Sequence, residues 1–218
     1  MGAILLGLIY QFYYGGGDTF GYTTFGSHYI WESFLDNPVT ALKLIFLKTS
    51  YLPETFKYAS QIWYFQDPPS YFVVRVAGLL GIITFDTYSS IAVLFACISF
   101  SGLWALYTSL HKMFPNLSLQ FAIALFFIPS VVFWGSGIMK DTLTLAALSW
   151  ATYAFSNLFV FNKGSLKYYA ILLVALYVIY LVKIYILICF LPAIFVWFFF
   201  NNLSKVKHLL LRISLVPV

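Results

Sequence analysis

The sequence predicts an all-α fold: a polytopic bundle of transmembrane helices, with interfacial helices carried in a long first loop on the outer side. Three observations predict it. Hydrophobic residues make up 62% of the chain and charged ones only 9%, with a mean hydropathy of +0.90, far from the quarter or so of charged residues in a soluble domain. The apolar stretches have helix lengths, and none shows the roughly ten-residue alternation of a membrane barrel. Short polar joints separate them, as they do where a chain crosses a membrane repeatedly.

A single membrane domain is expected, in four stretches: a first helix at 1–14, an outer loop at 15–86, a five-span bundle at 87–200 and a basic cytoplasmic tail at 201–218. The apolar run 4–14 is shorter than the about 20 residues of a comfortable span. It has neither a basic leading region nor a small-residue cleavage pattern, so it reads as a membrane helix and not as a signal peptide. Directly behind it stands Gly15-Gly16-Gly17-Asp18-Thr19-Phe20-Gly21-Tyr22. Three glycines open backbone conformations closed to other residues, which sets Asp18 exposed at the lipid boundary. The plain alternative is a helix-ending turn in which Asp18 bonds its own backbone.

The rest of the first loop mixes acids, aromatics and prolines. Stretches 39–48 and 54–65 have helical spacing, with Lys43, Lys48 and Lys57 among apolar and aromatic residues, the pattern of helices lying in the interface. The run 71–85 is apolar except for Arg75 and short for a span, so it is expected to lie along the interface or dip in and return. Beyond Asp86 the runs 88–110, 117–134, 142–161, 168–182 and 184–200 read as spans. Lys112, Lys163, Lys167, Lys205, Lys207 and Arg212 then share one side, which the excess of cytoplasmic Lys and Arg makes the inner one. All seven acids fall on the outer side. Residues 209–218 turn apolar again, so the chain reads either as a piece of a longer protein or as a minimal one.

Several function classes drop out. The net charge of +5 is scattered between apolar runs, without the patch or stripe that a nucleic-acid partner requires. Cys97 and Cys189 lie inside apolar runs, where cysteine acts as a small hydrophobe, and no disulfide is expected. His28, His111 and His208 have no ligand spacing to one another, so no metal site is visible and no cofactor is indicated, a divalent cation included.

The charged residues that carry chemistry gather on the outer face: Asp18, Asp67, Lys140, Asp141 and Lys183, with Tyr13, Tyr14, Tyr22 and Trp134 nearby. Each has a plain reading beside the functional one. Asp67-Pro68-Pro69 suits a helix start, where proline is at home. Asp141 favours the positive end of a helix while Lys140 snorkels to the headgroups, or the small-residue joint 135–139 admits a substrate to both. Lys183 divides two apolar runs; an ionisable residue at that depth is a functional hypothesis by default, and a lysine snorkelling from a helical turn is the alternative. Together, carboxylates and cations beside lipid suit a reaction between a polar acceptor and a lipid-linked phosphate. A carboxylate acts as general base on a hydroxyl, and lysines stabilise the charge of the leaving phosphate.

The order of these features resembles the C-type membrane glycosyltransferases, the superfamily of protein O-mannosyltransferases and the lipid A aminoarabinose transferase. An acid follows the first helix, here Asp18. Prolines open a later juxtamembrane helix, here behind Asp67. A second acid, here Asp141, begins a helix after a proline-containing span, and a Lys-aromatic element, Lys183-Ile184-Tyr185, leads into an apolar run with Pro192. The chain has Thr19 where many relatives place a second acid, and Asp67 where they place His or Lys. The resemblance implies transfer of a sugar from a polyprenyl-phosphate donor to an acceptor hydroxyl at the outer face of a bacterial inner membrane. It casts Asp18 and Asp141 as catalytic, and Tyr22, Asp67, Lys140 and Lys183 as substrate-binding. A reading from another class stands beside it: a non-catalytic membrane subunit whose aromatic loop and spans pack against protein partners in a larger complex. A transporter using Lys183 is a third, without an inverted repeat to support it.

Overall fold

The computed structural model describes residues 2–203, with side chains through residue 200, and its described secondary structure is helical throughout. Lys205, Lys207, His208 and Arg212, expected in the cytoplasmic tail, lie outside the described residues. Helix α1 (Gly2–Phe12) carries no charge and ends at the triple glycine. Gly15, Gly16 and Gly17 have φ of 65°, 137° and 138°, in the region that glycine enters without strain.

Helical structure then resumes sooner than expected. Helix α2 (Asp18–Tyr22) continues through a π-helical turn, Thr23–Ser27, into α3 (His28–Asp36). No apolar period marks this stretch; its buried positions are mostly small and polar, Thr19, Thr23, Ser27 and Ser33. Thr23 donates to the Thr19 carbonyl at 3.0 Å and Ser33 to that of Ile30 at 2.7 Å, which permits their burial; Thr19 pairs with the distant Tyr88 hydroxyl at 2.9 Å, and the buried Ser27 hydroxyl has no partner. Asn37 caps α4 (Pro38–Phe46) by accepting from the Val39 amide at 3.0 Å, with Pro38 at the first helical position, a strong local start. The helix expected at 54–65 shrinks to one turn, α5 (Phe56–Ala59). Beyond it the backbone bonds elsewhere: the Trp63 amide donates to the Phe25 carbonyl at 3.1 Å.

Helix α6 (Pro68–Thr84) lies under α2, α3 and α4, burying Tyr71, Val73, Val74 and Ala77. Phe85 and Asp86, both at φ 53°, turn the chain directly into α7 (Tyr88–Met113). His28 Nδ1 stands 2.6 Å from Asp86 Oδ2 and fastens that turn to α3. The expected span 117–134 is divided: α8 (Ser118–Phe126) folds back along α7, and α9 (Pro129–Trp134) follows a two-residue break. Pro129 causes it, because a residue preceding proline is driven from the helical region and Ile128 sits at φ −70°, ψ 123°.

Helix α10 (Lys140–Phe155) runs on through a second π-helical turn to Val160, α11 (Leu166–Val182) returns antiparallel to it, and α12 (Ile184–Leu203) turns back again. Tyr153 against Tyr168 at one end and Asp141 against Lys183 at the other set the register of α10 and α11. Contact between α7 and α10 is close enough that a Cβ on Gly102 would lie 2.6 Å from the Ala146 carbonyl oxygen. A large core joins α6, α7 and the loop helices, and a smaller one joins α10, α11 and α12. Two helices, Tyr88–Met113 and Lys140–Val160, are long and apolar enough to cross a membrane. Cys97 and Cys189 are free.

Candidate functional site

Four of the six residues singled out from sequence meet in two ion pairs held side by side by adjacent residues, and a fifth, Tyr22, lies beside them. Lys140 and Asp141 open α10. From there Lys140 Nζ reaches Asp67 Oδ2 at 3.4 Å, and Asp141 Oδ1 accepts from Lys183 Nζ at 2.5 Å. Two neighbouring residues thus tie together the start of α6 and the joint between α11 and α12. Their own position is held by Thr142, which is fully buried with its Oγ1 at 2.7 Å from the Gly137 carbonyl and 2.9 Å from that of Trp134.

A second branch runs from Asp67 toward the first loop. Ser70 donates to Asp67, and the buried Tyr22 phenol lies near enough to Ser70 and Asp67 for both to act on it. Tyr22 is 2% exposed and its ring is tilted against Tyr64 with centroids 4.9 Å apart. Burial pushes the Tyr22 hydroxyl well above its ordinary pKa against the opposing effect of Ser70, and the charges of Asp18 and Asp67 add to the rise. Asp18 itself is exposed at the start of α2. Its charge reaches three phenols, Tyr22, Tyr64 and Tyr10, the last of which also feels the charge of Asp141.

The surroundings of Asp67 and of Lys183 favour the ionised form of each. Burial works to raise the Asp67 carboxyl, yet the Ser70 hydrogen bond and the Lys140 charge outweigh it and hold the group below the usual carboxylate range. Burial likewise works against the Lys183 ammonium, but the hydrogen bond and charge of Asp141 keep it above the usual lysine value. Beside the second pair, Asp141 borders an open cavity of about 470 Å³ whose other walls include Trp134, Leu145, Leu148 and Ile186. One polar edge over an apolar interior suits an amphipathic occupant.

The joint 135–139 departs from its expected role as a substrate entrance. Gly135 through Met139 are all buried, and a Cβ on Gly137 would lie 2.9 Å from Leu6 of α1. Its small residues seat the first helix. Tyr13, Tyr14 and Trp134 are exposed. Sequence reasoning missed Tyr10, Tyr64, Ser70 and Thr142. Ser70, three residues after Asp67, carried a signal as the first-turn partner of a capping acid; the tyrosines are lost among 17 in the chain. Among the described residues no three His, Cys, Asp or Glu side chains gather as a metal site would need. Family models, curated proteins and solved structures offer no match to this chain.

Proposed function

We propose that the chain is a polytopic membrane protein that transfers a sugar from a polyprenyl-phosphate donor to an acceptor hydroxyl, at the outer face of a bacterial inner membrane. The observation that carries the reading is the contact of Lys183 with Asp141 across 42 residues, beside the Lys140 to Asp67 pair that the adjacent residue makes. Extensive apolar exposure supports the membrane setting: Leu173, Val174, Tyr177, Ile188 and Phe195 on α11 and α12 all face outward, far more than a water-facing surface carries in one patch.

In this reading Asp18 takes the proton from the acceptor hydroxyl. The oxygen forms a bond to the anomeric carbon, and the bond from that carbon to the phosphate oxygen breaks, releasing polyprenyl phosphate. Lys183 and Lys140 receive the phosphate charge, while Asp141 orients the acceptor. The cavity beside Asp141 takes the start of the lipid chain. Asp18→Asn tests it, assayed in native membranes with a panel of polyprenyl-phosphate sugars. Loss of a general base lowers transfer by about 10²- to 10⁴-fold with donor retention unchanged. Transfer at the normal rate would refute the role.

A second reading has its own observation. Both lysines are already neutralised by carboxylates, which suits a non-catalytic subunit whose charges fix helix order. Such a protein co-purifies with partners in fixed stoichiometry and transfers no sugar.

A further inference from the structure

Away from the paired charges, three cations gather where the end of α4 meets the middle of α6. Lys43, Lys48 and Arg75 line one small hollow together with Ser50, Thr55 and Tyr71. Lys43 is engaged by Glu54. Arg75 donates one terminal nitrogen to the Leu47 carbonyl and lies over the Tyr71 ring, 4.7 Å from its centroid. Its Nε is buried and has no hydrogen-bond partner. Among the described residues no carboxylate pairs with Lys48 or Arg75. Three cations against one carboxylate leave a local formal charge of +2.

We propose that this hollow binds a phosphate-bearing anion, the headgroup of an anionic membrane lipid. A guanidinium presents its donors in a planar fork that matches an oxyanion, the Leu47 carbonyl engages one of its terminal nitrogens, and Lys48 brings a second charge to the same hollow. The hollow has a volume of about 10 Å³, room for one water-sized group. One phosphate oxygen therefore points inward at Arg75, and the rest of the headgroup rests at the mouth. The lipid source follows from the same helix: Val39, Leu42, Phe46 and Leu47 are exposed around these cations, the arrangement of a helix whose apolar side enters lipid while its lysines meet phosphates. The site is separate from the transferase reading and stands without it.

The test uses the whole chain in nanodiscs of phosphatidylcholine doped with phosphatidylglycerol, with retained lipid counted by native mass spectrometry. The intact protein should enrich phosphatidylglycerol. Lys48→Gln, at an exposed position outside the helices, should cut the enrichment about fivefold, the worth of one cation at an anionic lipid surface. Arg75→Lys keeps the charge without the fork and should lose part of it. Lys112→Gln, at the far end of α7, should change nothing. Equal retention in the intact protein and both site variants overturns the proposal, as does an equal fall in the Lys112 control. Displacement by millimolar inorganic phosphate would place the anion site but overturn its assignment to lipid.

Discussion

The Lys183 to Asp141 pair can be weighed by replacing Lys183 with Met, which keeps the length of the side chain and removes its charge. At 2.5 Å and an effective dielectric of about 20, the Coulomb attraction is roughly 7 kcal/mol. Most of that is offset. Lys183 has a side-chain exposure of 16%, but Asp141 has 47%, so the orphaned carboxylate regains water. The result lies between an exposed pair, worth at most about 1 kcal/mol, and a buried pair broken on one side, about 3–5 kcal/mol. A cost of about 1–2 kcal/mol follows, which lowers the melting temperature of a chain this size by about 2–8 °C. A double-mutant cycle with Asp141→Asn isolates the pair, read from melting in detergent micelles. Coupling of about 1–2 kcal/mol is expected. Additive losses, with coupling below about 0.3 kcal/mol, would show that the contact contributes no stability and would remove the main support for a fixed cluster.

The same pair predicts a pH dependence. Folding raises the Lys183 value above that of the unfolded chain, so its contribution is complete below about pH 10.4 and is lost as pH rises through the higher folded value; melting temperatures from about pH 9 to 12 should fall more steeply for the intact protein than for Lys183→Met. Thr142→Val removes the one hydroxyl shared between the buried Gly137 carbonyl and the part-buried Trp134 carbonyl and should cost about 1–3 kcal/mol, with weakened coupling of Lys183 to Asp141 in the same cycle. Gly102→Ala drives a methyl against the α10 backbone, where nothing can yield, and should cost about 1–3 kcal/mol. Gly164→Ala, with open space around it, is its matched control in thermal melts.

The long apolar helices were legible because their signal is one of composition and length. The run 142–161 reappears as α10 with its π-helical turn, and 168–182 nearly residue for residue as α11. Their joints were legible too, which is why Lys140, Asp141 and Lys183 could be placed at one end of adjacent helices. The first loop was not. Residues 18–36 bury Thr19, Thr23, Ser27 and Ser33, and a buried face of hydroxyl-bearing residues leaves no apolar period to read. The break at Ile128 was written in Pro129 but masked by an unbroken apolar run on both sides. The role of Gly137 depended on which helix passes over it, a fact of tertiary packing that no local pattern contains.

Charge balance in the cluster links the two readings of function. Asp18, Asp67 and Asp141 oppose only Lys140 and Lys183, so the assembled site carries a net formal charge of −1, and no lysine in it is unpaired. An incoming phosphate therefore meets net repulsion unless a carboxylate gives up its lysine. Asp67 retains Ser70 as a donor when Lys140 leaves, and Asp141, half exposed, regains water when Lys183 leaves. Both exchanges keep every charge partnered, the condition under which moving a buried charge is affordable. A site with lysines already free would bind any anion at the membrane surface. Under the proposed transfer, the pairs would impose a threshold that a phosphate crosses only with added binding energy from an apolar chain in the cavity beside Asp141, a physical basis for selecting a lipid-linked phosphate over a soluble one.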